Sequence, residues 1–358
     1  MKLVFIDPKC PRPYDPEVLA TQGLGGTEAT VVRIATALSA DHEVRVFQHN
    51  RTQRLDPGPG LSFLPPNELD AHLASADHIV FIQKAQDLST VRRASRGRCW
   101  LWLHNYVKDE VPFYWQDHLR HRLGIICVSR AHALHTLDYL RSQRHSWLSA
   151  RAVLRGGLLY LHNPLQPGIE KLPPVEVDRN KLVFFSSPYK GIEQVLAQFR
   201  LAYQREPQLR LYVADPGYIR NFDASQLDHP GIIRLGSLPQ AQVLEQVRQA
   251  LCVFYPQTRR AETFGLVYAE SNAVGTPVLA HDFGAAREIL AAGNPPIDVN
   301  APGRVLETLF QWRDGARPRV GADARFSLPC VAAQWRQFLA DPQAFIAGQR
   351  LLGPDARA

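Results

Sequence analysis

Short, uniformly apolar runs alternate along this chain with segments whose apolar residues recur every three or four positions. The chain opens Lys2-Leu3-Val4-Phe5-Ile6-Asp7, and Lys181-Leu182-Val183-Phe184-Phe185-Ser186 repeats that pattern near the middle. Such runs suit strands buried on both faces of a parallel sheet. Behind the first, from about Thr27, Val31, Ile34, Ala35 and Leu38 share one helical face. Behind the second, Ile192, Val195, Leu196 and Phe199 do the same. Further strand-like runs lie at 44–47, 78–82, 99–103 and 125–128, then at 209–214, 232–235, 251–255 and 278–280, with helical segments between most of them.

Strands alternating with helices imply parallel sheets with right-handed crossovers. The expected fold is α/β: two Rossmann-like doubly wound domains facing a central cleft, with a helical C-terminal tail. The domains are expected over 1–165 and 181–300, joined by a Pro-rich linker at 166–180. Helical patterns over 301–358 are expected to pack back on the first domain. Ligands of such folds bind at the carboxyl ends of the strands.

The chain has 358 residues, room for two or three domains. Hydrophobic residues at 45% and charged ones at 21% exclude a disordered chain. No apolar run approaches the roughly 20 residues of a membrane span, and the first run is too short for a signal peptide. Five scattered cysteines without a C-x-x-C pair argue against a disulfide framework or a zinc knuckle. A cytoplasmic location is expected.

The net charge of +7 is concentrated: residues 92–155 hold 12 Lys/Arg against four acids. Two readings are open. Apolar and aromatic residues interleave with the charges at Tyr139-Leu140-Arg141 and Arg144-His145-Ser146-Trp147-Leu148, which suits peripheral binding to an anionic membrane. A solvated Arg-rich face fits equally. Nucleic acid is not expected, because no helix-turn-helix, zinc-finger or RNP-like segment accompanies the charge.

Four loops carry candidate chemistry. Gly23-Leu24-Gly25-Gly26-Thr27-Glu28 precedes the first helix, where adjacent glycines allow close backbone approach and free N–H groups attract an anion. A plain turn fits the same residues. The second strand ends Phe47-Gln48-His49-Asn50, without the acid of a dinucleotide fingerprint, which disfavours a nicotinamide enzyme. His104 follows the run at 99–103, at a carboxyl strand end. Ser186-Ser187-Pro188-Tyr189-Lys190-Gly191 places one Lys beside Gly at a helix entrance, fit to neutralise a phosphate or to point at solvent. Glu262-Thr263-Phe264-Gly265-Leu266-Val267-Tyr268-Ala269-Glu270 sets one acid before a helix and one inside it, and Gly275 with Pro277 ends that helix. No D-x-D and no His/Asp cluster with metal spacing is present, so no metal or other cofactor is expected.

With its E-x7-E spacing, followed by Gly275-Thr276-Pro277-Val278 and Gly284-Ala285-Ala286-Arg287-Glu288, the chain resembles the retaining glycosyltransferases of the GT-B fold, in particular glycosyltransferase family 4. Gly25-Gly26, His104, Val128-Ser129 and His162-Asn163-Pro164 fall in that family's order. The resemblance implies that Glu262 binds the hydroxyls of a donor sugar and Glu270 the ribose of its nucleotide. It implies that Gly25, Gly26, Lys190 and the amides of Phe264, Gly265 and Leu266 surround the diphosphate. It places His104 by the transferred sugar and the loop at Gly236 by the base. Two positions depart from the family: Phe185 stands where it has an Arg, and Pro164 where it has a Gly. Arg259 or Arg260 is the candidate substitute for that Arg.

The implied activity is metal-independent transfer of a sugar, with retention, from a nucleotide-diphosphate sugar to a saccharide or lipid-linked hydroxyl, as in cell-surface polysaccharide, lipopolysaccharide or glycolipid synthesis. The alternatives are a nucleotide-sugar epimerase on the same fold and a catalytically silent sugar-nucleotide or glycan-binding protein.

Overall fold

A computed structural model describes residues 1–107, 120–142, 156–173, 175–215 and 223–351. The chain divides into two compact units: Met1–Pro16, Thr27–Pro164 and Leu328–Ala358 form the first, Glu17–Gly26 and Leu165–Ser327 the second.

The first unit is built on β1 (Lys2–Asp7), β2 (Glu43–Gln48), β3 (Leu55–Gly58), β4 (Leu61–Leu64), β5 (His78–Ile82), β6 (Arg98–Trp102), β7 (Gly124–Cys127) and β8 (Leu158–Tyr160). Their order across the sheet is β3-β4-β2-β1-β5-β6-β7-β8. All pairs are parallel except β3 with β4. Every residue of β5, and all but the first of β1, is buried, as expected of strands covered on both faces. The strand order reverses between β1 and β5, which leaves a crevice at their carboxyl ends. Three strands fall outside the sequence-based set: β3 (Leu-Asp-Pro-Gly) and β4 are four residues long and β8 three, too short to show a period.

The helix Leu328–Ala340 covers this sheet through aromatic side chains. Trp335 packs 4.8 Å from Trp102 and 6.1 Å from Phe5, and Phe338 meets Trp100 edge-on at 4.7 Å. Beneath them His78 Nδ1 accepts a hydrogen bond from Trp100 Nε1 at 3.1 Å, and burial lowers its pKa to about 4. The segment 301–358 is therefore not one tail. Its first helix, Arg304–Asp314, clusters with the second unit, where Arg205 lies over Phe310 at 4.2 Å and Arg179 donates to the carbonyls of Arg313 and Gly315 at 2.6 and 2.8 Å.

The second unit contains β9 (Asp178–Phe184), β10 (Arg210–Asp215), β11 (Ile232–Ser237), β12 (Ala250–Tyr255) and β13 (Val278–Ala280), in the order β11-β10-β9-β12-β13, all parallel. The order reverses between β9 and β12. The helix Ile192–Arg205 joins β9 to β10 and buries Ile192, Val195, Leu196, Phe199 and Ala202, the spacing of an amphipathic helix on a sheet. β12 is buried throughout.

Within the basic stretch, Lys108, Arg144, Arg151 and Arg155, with the segment Arg144–Leu148, lie outside the described residues. Arg93, Arg96, Arg98, Arg120, Arg122 and Arg141 are exposed. Leu140, by contrast, is fully buried in the core and presents nothing to a membrane. No helix among the described residues is long and apolar enough to cross a membrane.

Candidate active site

The carboxyl ends of β9 and β12, the point of strand-order reversal in the second unit, hold a cluster of charged and polar groups. After β9 the chain makes a single 3-10 turn, Pro188–Lys190, and Gly191 at φ 107° opens the next helix. A Cβ on Gly191 would lie 3.0 Å from Gln257 Cβ, so glycine serves both the left-handed backbone and the close approach. Lys190 Nζ then reaches Glu262, 2.8 Å from each carboxylate oxygen, although the two residues are 72 positions apart.

Glu262 sits in the loop between β12 and the helix Leu266–Ala273. Its side chain is 7% exposed, against 26% for Lys190. A carboxylate buried to that extent needs donors. Tyr255, the last residue of β12, supplies one through its hydroxyl, 2.8 Å from Oε1. Ser186 Oγ lies 3.3 Å from the same hydroxyl. Burial and the Glu262 charge push the Tyr255 pKa far up, so the phenol keeps its proton and donates to Glu262. Ser186 is left as the donor to Tyr255. The carbonyl of Glu262 accepts from the Ala285 amide at 3.0 Å, which ties the Gly284–Glu288 segment to the same loop.

Gly265 caps the following helix at φ 85°, and a Cβ there would stand 2.6 Å from the Tyr268 ring. Phe264 is buried edge-on against Phe326, with centroids 5.1 Å apart. That anchors the turn whose amides lead into the helix, an arrangement suited to anionic oxygens. Glu270 lies inside the helix, 4% exposed, and Gln240 Nε2 donates to its Oε2 at 2.7 Å. Gly236, expected in a loop, is instead the penultimate residue of β11, with a φ of 68°, and Gln240 opens the helix that follows this strand. Gly25 lies just ahead of the helix Gly26–Leu38. Gly26 groups with the second unit, where a Cβ on it would approach Leu266 Cδ1 to 3.0 Å. Thus Lys190, Glu262, Phe264, Gly265, Leu266, Glu270, Gly236, Gly25 and Gly26 all belong to one unit. Arg259 and Arg260 are exposed and held by Gln257, whose Oε1 accepts from both amides at 2.9 and 3.0 Å. Arg260 stacks over Tyr189 at 5.2 Å.

His104 belongs to the first unit, two residues beyond β6. Its ring packs 4.6 Å from Trp102, and its amide donates to Gln83 Oε1 at 3.1 Å. Burial, aided by His132, lowers its pKa to about 3, so the imidazole is neutral at physiological pH. It can donate or accept a hydrogen bond, but it does not supply a cation or an acid. His132 steadies the loop: its Nδ1 accepts from the Val128 amide at 3.3 Å, so its Nε2–H faces the Asn105 carbonyl at 3.2 Å. Near this loop, at the reversal point of the first sheet, lies a cavity of about 290 Å³ with Asp7, Glu28, Gln83 and Asn105 in its lining. Burial raises the pKa of both Asp7 and Glu28. Carboxyl and amide groups around a space of this size suit the hydroxyls of a small polar ring. Among the described residues, no group of three or more His, Cys, Asp or Glu is placed to hold a metal ion.

Residues 175–304 match the family model for glycosyl transferases group 1, a span that includes Lys190, Glu262 and Glu270. Two α/β units of this kind are also found in solved glycosyltransferase structures. This is the GT-B fold. HepE from Anabaena, solved in complex with UDP and glucose, is 16% identical over 95% of this chain and 99% of its own, with a TM-score of 0.63. Sucrose-phosphate synthase from Thermosynechococcus elongatus is 16% identical over 98% of each chain, with a TM-score of 0.57. WaaB, a lipopolysaccharide outer core galactosyltransferase, is 13% identical over 96% of this chain and all of its own, with a TM-score of 0.58. No curated protein matches the sequence.

Sequence reasoning named both acids and the lysine as candidates but not Tyr255, Gln240 or Gln257, which lie in the same region of the second unit. One signal was available for Tyr255: it is the one hydroxyl-bearing residue of an otherwise apolar strand, Ala-Leu-Cys-Val-Phe-Tyr, and it stands at the carboxyl end.

Proposed function

We propose that this chain is a retaining glycosyltransferase that moves a sugar from a nucleoside-diphosphate sugar to a hydroxyl of a saccharide or lipid-linked acceptor, without a metal ion. The observation that carries the reading is the Lys190–Glu262 pair at the reversal point of the second sheet, beside a helix that starts at Gly265. One ammonium group and a set of backbone N–H groups meet the two needs of the reaction: a cation for the departing diphosphate and fixed dipoles for the charge that grows on it. Support also comes from the group 1 match over this region and from the likeness to HepE, whose complexes contain UDP and glucose or UDP-glucose.

In this mechanism Lys190 turns from Glu262 to the diphosphate as the donor binds. Glu262 accepts hydrogen bonds from the donor sugar and orients it, and Glu270, steadied by Gln240, accepts from the ribose. His104, as a neutral imidazole, hydrogen-bonds the transferred sugar. The acceptor hydroxyl attacks from the face of the leaving diphosphate, which takes its proton, so no carboxylate acts as nucleophile. The first-unit cavity is assigned to the acceptor. The exposed arginines between 93 and 141 are assigned to an anionic membrane surface, which would place the enzyme on the inner face of the membrane.

The test is release of nucleoside diphosphate from UDP-glucose, GDP-mannose and ADP-glucose in turn, with the anomeric configuration of the product followed by proton NMR. Release with retained configuration supports the proposal. Binding of donor without release or transfer favours a silent binding protein, and isomerised donor in the absence of acceptor favours an epimerase.

A further inference from the structure

We infer that Tyr255 is a positioning residue for Glu262, holding one carboxylate oxygen in place while Lys190 is engaged by the donor. This role rests on the function proposed above. Before donor binding, Lys190 contacts both oxygens of Glu262 at 2.8 Å. The same ammonium cannot neutralise a diphosphate and remain centred on the carboxylate. Once it turns away, Glu262 loses its nearest cation while its side chain stays almost wholly buried. A buried carboxylate in that state moves or takes up a proton unless other donors hold it.

Tyr255 is built to hold it. The hydroxyl is 2.8 Å from Oε1 and owes nothing to Lys190. The ring is fixed between Phe184, at 5.8 Å, and Tyr268, at 6.0 Å. The residue is 1% exposed, so no water competes for the phenolic proton. Ser186, 3.3 Å away, donates to the phenol oxygen and points its proton at Glu262. With Oε1 fixed, Oε2 exchanges the Lys190 ammonium for a hydroxyl of the donor sugar. Ser186 also follows directly on Phe185, the position at which this chain departs from the family it resembles. A chain of neutral hydroxyls thus runs into the site from the loop that lacks the Arg.

Tyr255→Phe removes the hydroxyl and keeps the ring. UDP-glucose, GDP-mannose and ADP-glucose serve as donors, and the diphosphate of whichever turns over serves as the binding probe in calorimetry. The expected result is a kcat about 10- to 100-fold lower, the size of one charge-assisted hydrogen bond, with diphosphate affinity held within about twofold because that probe has no sugar. In a Glu262→Ala background, which removes the acceptor, the same change should cost less than about twofold, since the two residues act through one contact. Ser186→Ala, a gentler change, should lower kcat about 2- to 10-fold with the same split. An unchanged kcat in both single variants overturns the role. So does an equal loss of kcat and diphosphate affinity, which marks a structural effect, or an equal loss with and without Glu262. Wild-type protein that binds a diphosphate but turns over no donor overturns the proposed function, and this role with it.

Discussion

His104 gives the chain a pH dependence whose size follows from its burial. The folded-state pKa is about 3, below the ordinary imidazole value of 6.5, because the ring lies against Trp102 away from water. Below pH 6.5 the unfolded chain therefore binds a proton at this residue and the folded chain does not. Its contribution to stability is intact above 6.5 and is lost as the pH falls toward 3. Between pH 7.5 and pH 5 the loss comes from the 1.5 units below 6.5, at about 1.4 kcal/mol each, or about 2 kcal/mol. His104→Asn removes the titrating group and keeps a polar side chain. Urea unfolding of both proteins, followed by tryptophan fluorescence at pH 7.5 and pH 5, isolates the effect as a difference of differences, since other titrating groups are common to both. The variant should lose about 2 kcal/mol less than wild type over this interval. Equal losses would refute the neutral, buried imidazole and with it the non-acidic role assigned to His104.

Other outcomes follow from the same geometry. Glu262→Ala should lower kcat at least 100-fold, whereas Glu270→Ala should chiefly raise donor KM, by about tenfold, because the proposed mechanism sets one acid against the reacting sugar and the other against the ribose; steady-state kinetics against donor separates them, and matching changes in both variants contradict the assignment. Arg259→Ala or Arg260→Ala should lower turnover about tenfold if either supplies the diphosphate-binding cation that the resembled family carries at the place of Phe185, while unchanged turnover in both leaves Lys190 and the backbone to that proposed role. Trp335→Ala should destabilise the first unit by about 3–5 kcal/mol in chemical denaturation, since it empties the space between Phe5 and Trp102. Sedimentation with anionic vesicles should show binding at about 20 mM salt and release at about 0.5 M, and absence of binding at low salt removes the membrane surface from the account.

Much of the fold was legible because buried parallel strands write themselves as apolar runs. β1, β5 and β12 appeared at their observed places, and Gly265 and Gly275 bracket the helix that carries Glu270. Tight punctuation worked where backbone sterics demand glycine. It failed for β3, whose four residues include Pro57 and Gly58 and so read as loop. The split of residues 301–358 between the units was equally hidden, because the helical period says which face is apolar but not which sheet it covers. Leu140 shows the same limit: it sits among arginines in the sequence, yet its helix turns it into the core. In the site, Glu262 and Lys190 were visible as chemical types in suitable loops. The groups that position them were not, since Tyr255 meets Ser186, and Gln240 meets Glu270, only after β9 and β12 pair and the helices pack.

In the proposed mechanism Lys190 leaves Glu262 to hold a nucleoside diphosphate. Calorimetric titration of UDP, GDP and ADP into wild-type protein and Lys190→Ala addresses it directly. Wild type should bind one of the three, and the variant should bind it at least tenfold more weakly while keeping its fold. No binding of any diphosphate to wild type, or equal binding to both proteins, would contradict it.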